Sequence, residues 1–150
     1  MTAEQPPAIQ RQRTAIARRR FSVPMRTAME HGIIVKGRTI LDYGCGRGSD
    51  LQLLTALGYK ASGFDPHFRP VPYSPADVVN LGYVLNVIED RAQRRATLLD
   101  AWAHARLALV VGVYLGSQQG ETALDDGYVT KAGTFQWWQA HASAATNRLR

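Results

Sequence analysis

Asp42-Tyr43-Gly44-Cys45-Gly46-Arg47-Gly48 is the stretch on which the reading of this chain turns. An apolar lead-in, Arg38-Thr39-Ile40-Leu41, precedes it, and a helical pattern, Asp50 to Leu57, follows. Strand, glycine-rich turn and helix in that order build a ligand platform. Glycines accept positive φ and let a bound group approach the backbone closely. The next helix then presents its unpaired N–H groups at the turn. A second mark follows about 20 residues on, where Tyr59-Lys60-Ala61-Ser62-Gly63-Phe64 runs into Asp65. A carboxylate at the end of a second strand suits a ribose diol, because it accepts hydrogen bonds from both hydroxyls.

The spacing Gly44-x-Gly46-x-Gly48 differs from the Gly-x-Gly-x-x-Gly of dinucleotide sites. It also carries an acid, Asp42, two residues before the first glycine. An acid there is ill suited to a pyrophosphate and well suited to a cation. S-adenosylmethionine carries a sulfonium and an α-ammonium and no phosphate, so the pattern favours it over NAD.

The 150 residues suffice for one domain with one core. No apolar run is long enough to span a membrane and no secretory leader is evident, so a cytoplasmic location is expected. The single cysteine, Cys45, has no partner for an internal disulfide and reads as a small filler of the glycine turn. No Cys/His spacing suggests a metal. The formal charge is +6, and five arginines without an acid fall between Arg11 and Arg20. Such a segment is either a solvated helix face or a phosphate-binding arm.

Along the chain, residues 1–9 read as disordered and 10–20 as a basic helix. Ser22 is a helix cap with Pro24 in the first turn, and that helix stops at Gly32. Strands are expected at Thr39 to Tyr43, Lys60 to Phe64 and Ala76 to Gly82, with a helix from Ser49 to Leu57. Four prolines between Pro66 and Pro75 forbid a helix or a central strand there. A short helix is expected over Tyr83 to Ile88. An amphipathic one over Arg91 to Ala105 would bury Ala92, Leu98, Leu99 and Trp102, with Leu107 continuing the series. Leu107 to Leu115, uniformly apolar, reads as a strand covered on both faces. Asp125-Asp126-Gly127 is a turn, Gly133 to Trp138 docks aromatics on the core, and His141 to Arg150 is frayed or weakly helical. The pattern predicts a Rossmann-like α/β fold, a mostly parallel sheet with helices on both faces. An N-terminal helical arm occupies 1–35 and the binding domain 36–150.

These residues resemble class I S-adenosylmethionine-dependent methyltransferases, and more narrowly those associated with DNA phosphorothioation systems. The likeness is carried by Arg13 to Ile16, Asp42 to Gly48, Gly63 to Pro66, Ala76 to Asp90 and Gly133 to Gln136. It implies a cofactor site of Asp42, Gly44, Cys45, Gly46 and Gly48, with Asp65 on the ribose and Pro66, Asn80 and Leu81 completing it. Two departures mark a reduced form. Only a proline-rich loop separates the ribose acid from the next strand, so the second strand is an edge. No convincing strand pair follows Leu115, which leaves the substrate side reduced.

Asn80 and Tyr83 are the candidate catalytic residues. They stand where amino-methyltransferases of DNA carry Asn-Pro-Pro-Tyr, with Leu81-Gly82 here replacing the prolines. The alternative is that Asn80 caps a strand end and Tyr83 packs in the core. Asn86 and Glu89 are further candidates for the pocket, although Glu89 could instead pair with Arg91 or Arg94. His67 and Tyr73 could close over adenine. Three functions stay open: a methyltransferase acting on nucleic acid or a small molecule, an S-adenosylmethionine enzyme of non-methylating type, and a non-catalytic cofactor-binding or nucleic-acid-associated subunit. The Arg11–Arg20 arm makes nucleic acid the first partner to consider. The exposed sheet edge with Trp137-Trp138 makes completion by a homodimer or partner protein the second.

Overall fold

The computed structural model describes residues 8–114 and 122–137. Four parallel strands form the main sheet: β1 (Thr39–Tyr43), β2 (Lys60–Phe64), β3 (Ala76–Gly82) and β4 (Ala105–Gly112), in the order β2-β1-β3-β4. The crossovers run through α2 (Ser49–Ala56), the proline loop and α3 (Arg91–His104), and α1 (Val23–Glu30) precedes the first strand. Among the described residues no helix is long and apolar enough to cross a membrane.

The two faces of the sheet follow from two-residue alternation. Ile40 and Val78 point to one face, where Met25, Ala28 and Leu54 from α1 and α2 bury against them. Leu41, Tyr43, Val79 and Leu81 point to the other, against Leu98 and Ala101 of α3. Ser22 caps α1 by accepting from the Met25 N–H, and Gly32 leaves the helix at φ +68°. The Ser22 N–H and hydroxyl both donate to the buried carboxylate of Asp50. That tie binds the start of α1 to the first turn of α2.

The first three strands, α2 and the Asp125-Asp126 turn match their expected positions within a residue. Four features differ. The basic arm is not a helix: one 3-10 turn, Arg11–Thr14, is followed by extended chain. The Tyr83 to Ile88 segment contains only the 3-10 turn Leu85–Val87. In α3 the buried positions are Arg94 and Ala101, whereas Ala92, Leu99 and Trp102 face outward. Helical spacing identified the element but not its inner face, which Arg94, Leu98 and Ala101 form.

The fourth difference is β4, which is an outer strand rather than a covered one, and Leu107 is 65% exposed. β2 is the other edge, as the proline loop implied. Beyond β4, a small antiparallel meander of β5 (Thr122–Leu124), β6 (Gly127–Val129) and β7 (Phe135–Trp137) supplies strands the sequence did not reveal. Three-residue strands are too short to show alternation. Arg94 pins this meander, donating to both oxygens of Asp126 and to the Ile88 carbonyl beneath the Trp137 ring. Phe135 is buried as expected. Trp138 and the stretch from His141 to Arg150 lie outside the described residues.

Candidate functional site

β1 has β2 on its outer side and β3 on its inner side, so the connections leaving the neighbours β1 and β3, through α2 and α3, diverge to opposite faces of the sheet. The crevice at the carboxyl ends of the strands is therefore a topological switch point, where ligands of such sheets bind. The glycine turn fills its near wall. Gly44, Gly46 and Gly48 take φ of +83°, +53° and +78°. At Gly44 a Cβ would also overlap the Val84 side chain. The N–H groups of Gly44 and Cys45 donate to the Phe64 carbonyl at 2.7 and 2.9 Å, which ties the turn to the end of β2.

Asp65 holds the turn and the following loop together. One carboxylate oxygen accepts from the Gly46 N–H at 3.0 Å, and the other accepts from the His67 and Phe68 N–H groups at 2.9 Å. A carboxylate offers about four lone-pair sites, so acceptor capacity remains toward the cavity.

The floor is a buried pair. Asn80 Nδ2 donates to Asp42 Oδ1 at 2.9 Å, across adjacent strands in register. Asn80 is 2% exposed, and its Oδ1 has no hydrogen-bond partner. A buried acceptor left unsatisfied costs about 1–3 kcal/mol, so an incoming donor gains by meeting it. Burial raises the Asp42 carboxyl to about 7, against the Asn80 hydrogen bond and with added repulsion from Asp50 and Asp65. Near neutral pH the group is thus poised between its two forms, and a cation would draw it to the charged one. Burial also pushes the Cys45 thiol up to about 12, aided by Asp42 and Asp65. It stays protonated and is no nucleophile.

The basic arm forms the roof. Arg11 reaches Glu89 with two hydrogen bonds, 2.7 and 2.8 Å, and Gln93 with a third at 2.8 Å. Arg13 donates to the Ala132 carbonyl, and the Gln10 N–H to that of Gly133. At the far end the Arg18 N–H donates to Ser49 Oγ, and Arg47 reaches the Ala15 carbonyl. Ala15 lies against Gly46. Under this strap is a cavity of about 450 Å³. Such a volume suits a nucleoside-sized ligand. Tyr83 stands at its rim in the left-handed region, φ +61°, its N–H fixed on the Gly112 carbonyl and its ring under the Arg18 guanidinium.

Of the residues expected here, Asp42, Gly44, Cys45, Gly46, Asp65, Pro66, Asn80 and Tyr83 border the cavity, and so does His67. Gly48 shapes the turn as the cap residue of α2 without lining the space. Leu81 does not line the cavity. It is fully buried among Leu41, Val79 and Ala101, because consecutive β3 residues face opposite sides and Asn80 takes the cavity side. Tyr73 is also elsewhere, packed on Phe64 and His104 with its hydroxyl on Asp100. Asn86 bonds Gln136, and Glu89 holds Arg11 rather than Arg91 or Arg94. The roof residues Thr14, Ala15 and Ile16 were not expected at the site. The uncharged Thr-Ala-Ile inside the arginine run was the available signal.

A glycine turn after the first strand, an acid after the second, and a cavity over both define a class I methyltransferase fold in reduced form. The chain belongs to the family described as "Methyltransferase domain", whose model matches residues 10–130. No curated protein matches the chain. The family implies S-adenosylmethionine as cofactor, and the residues present fit it. The unsatisfied Asn80 Oδ1 and the poised Asp42 are acceptors for a cationic ligand.

Proposed function

We propose that the cavity binds S-adenosylmethionine and that the chain directs its methyl group to an acceptor entering past Tyr83. The carrying observation is the buried Asp42–Asn80 pair with its unsatisfied acceptor at the floor of the glycine turn. When bound, the cofactor supplies an activated methyl group on a sulfonium. The protein's part is then chiefly alignment. Asp42 and Asn80 would receive the ammonium end. The remaining acceptor capacity of Asp65 would receive the ribose hydroxyls. The strap would exclude water, and Tyr83 would present its ring to a planar acceptor.

Nucleic acid is the acceptor class this reading favours. Arg11 and Arg13 are committed within the fold, whereas Arg19 and Arg20 are exposed and Arg18 lies over Tyr83 at the rim. A phosphate backbone held by these three would bring a base toward Tyr83. The narrower likeness to enzymes of DNA phosphorothioation systems makes DNA the first acceptor to try. A small-molecule acceptor, a non-methylating use of the cofactor and a non-catalytic subunit are the competing outcomes.

Calorimetry with S-adenosylmethionine and S-adenosylhomocysteine, on the wild type and Asn80→Ala, tests the site. Affinity lost in the variant supports it, and no binding by the wild type removes it. Mass spectrometry of oligonucleotides incubated with methyl-labelled cofactor tests the chemistry. Label on the base supports methyl transfer. Label confined to cofactor fragments favours the non-methylating reading.

A further inference from the structure

Arg94 is the only buried cation among the described residues, its side chain 8% exposed, and it does not line the cavity. A charge is costly to bury, and an apolar side chain would pack α3 against the meander as well. What the guanidinium adds is a rigid fork of donors that serves partners in several elements at once. It donates to the Ile88 carbonyl at 3.1 Å and to the two oxygens of Asp126 at 2.7 and 3.0 Å. Its central carbon stands 5.8 and 4.5 Å from the ring centres of Phe135 and Trp137.

These partners flank the two places where the strap is fastened. On one side the Arg94 side chain holds the Ile88 carbonyl and its N–H holds the Asp90 carbonyl, so Glu89 between them is fixed in direction. Glu89 receives Arg11. On the other side Asp126 leads into β6 and the two rings belong to β7, so Arg94 grips both strands of that hairpin. The hairpin tip offers the Ala132 carbonyl to Arg13 and the Gly133 carbonyl to the Gln10 N–H. Arg91 also holds Asp125, but both side chains of that pair are at least half exposed, so it counts for little.

The strap depends on these fastenings. No residue from 8 to 21 is buried, and Ile16 is 60% exposed although it lines the cavity. An element without buried apolar contacts opens ahead of the core. From Ser22 onward the chain is fixed, by the Asp50 tie and by Met25 in the core. Opening therefore swings the strap about residues 18–21 and frees the Arg11 end. We propose that the strap is a lid and that Arg94 is the positioning residue that latches it. One buried guanidinium sets both Glu89 and the hairpin tip, and so governs ligand exchange without touching the cavity. Only the ligand arm of the test rests on the S-adenosylmethionine reading.

Hydrogen exchange read by mass spectrometry tests the latch without a ligand. In Arg94→Met with Asp126→Asn the volume is kept and no charge is left unpaired. Peptides covering 8–18 should exchange roughly tenfold faster than in the wild type, the worth of one charge-assisted hydrogen bond, while α1, α2 and β1 keep their rates. A role in general stability alone would raise all of them together. Asp126→Asn by itself, at a side chain 21% exposed, carries the same expectation should the pair not fold. Glu89→Gln should give the same pattern more weakly. Added to the Arg94 variant it should raise exchange less than it does alone, because both act through one latch. Unchanged exchange over 8–18, an equal rise in α1 and β1, or full additivity with Glu89→Gln overturns the proposal. Where calorimetry shows the wild type binding S-adenosylmethionine, the Arg94 variant should release it several-fold faster in stopped-flow displacement, and an unchanged release rate also overturns the proposal. No binding by the wild type removes the cofactor reading and leaves the latch to be judged by exchange.

Discussion

Asp42 is a carboxyl group buried beside a single amide donor, and its titration should be visible in stability. Its ordinary value is 3.8 and burial raises it to about 7. Between these values the unfolded chain has released the proton while the folded chain keeps it. Folded stability therefore falls as pH rises through that window. In Asp42→Asn this dependence should vanish. Denaturation at pH 4 and pH 7 should show the variant gaining roughly 1–4 kcal/mol over the wild type across the window. Binding of a cationic ligand has the opposite sign, since it favours the ionised form. Affinity for S-adenosylmethionine should rise from pH 6 to 8 with proton release, read by calorimetry in buffers of different ionisation enthalpy. Asp42→Asn should abolish that release.

Gly44 is the second residue whose chemistry is decided locally. At φ +83° a side chain is strained, and here the added Cβ would also meet Val84. Gly44→Ala should cost about 2–4 kcal/mol, the sum of left-handed backbone strain and overpacking. Chemical denaturation checks this. Gly48, with the same sign of φ but open space at its Cβ, should cost less when replaced by alanine.

The arm and the meander are elements held by ion pairs of unequal burial, and their variants should separate accordingly. Arg11 and Glu89 are each about a third exposed, so Glu89→Gln should change stability by under about 1 kcal/mol. It should nonetheless loosen the strap. Stopped-flow displacement should show S-adenosylmethionine leaving several-fold faster from the variant. Arg94 has a side chain only 8% exposed and serves Asp126, the Ile88 carbonyl and two aromatic rings. Arg94→Ala leaves Asp126 without its partner and should cost about 3 kcal/mol. Tryptophan fluorescence would report the meander detaching.

At the scale of the whole molecule the net charge is +6, and three exposed arginines, Arg18, Arg19 and Arg20, follow one another at one end of the strap. If a nucleic acid is the acceptor, replacing Arg18, Arg19 and Arg20 by alanine should reduce its affinity and flatten the log–log salt dependence by up to about 3. Cofactor affinity should change little, because the anchors Arg11 and Ser49 stay in place. Fluorescence anisotropy over a salt series separates the two effects.

How much of this was legible follows from the range of the forces involved. Strand, glycine turn, helix and acid are local. The φ of Gly44, the cap at Ser22 and the apolar runs of β1 to β3 are imposed by neighbours in sequence, and they suffice to place the cavity and most of its lining. Four things were not local. The inner face of α3 depended on how the helix lies on the sheet, so spacing alone chose Leu99 and Trp102 wrongly. The openness of β4 depended on what lies beside it, and an apolar run reads the same at an edge as in a centre. The Leu81 side chain turned away from the cavity because one step along a strand reverses the face. The arginine arm became a roof because Glu89, Ser49 and two carbonyl groups distant in sequence stand within its reach. The sequence by itself determined the fold class and the glycine-turn site, through constraints acting over a few residues. The tertiary structure alone decided the roof, the orphaned Asn80 oxygen and the open edge, because each arises from groups that meet only when the chain has folded.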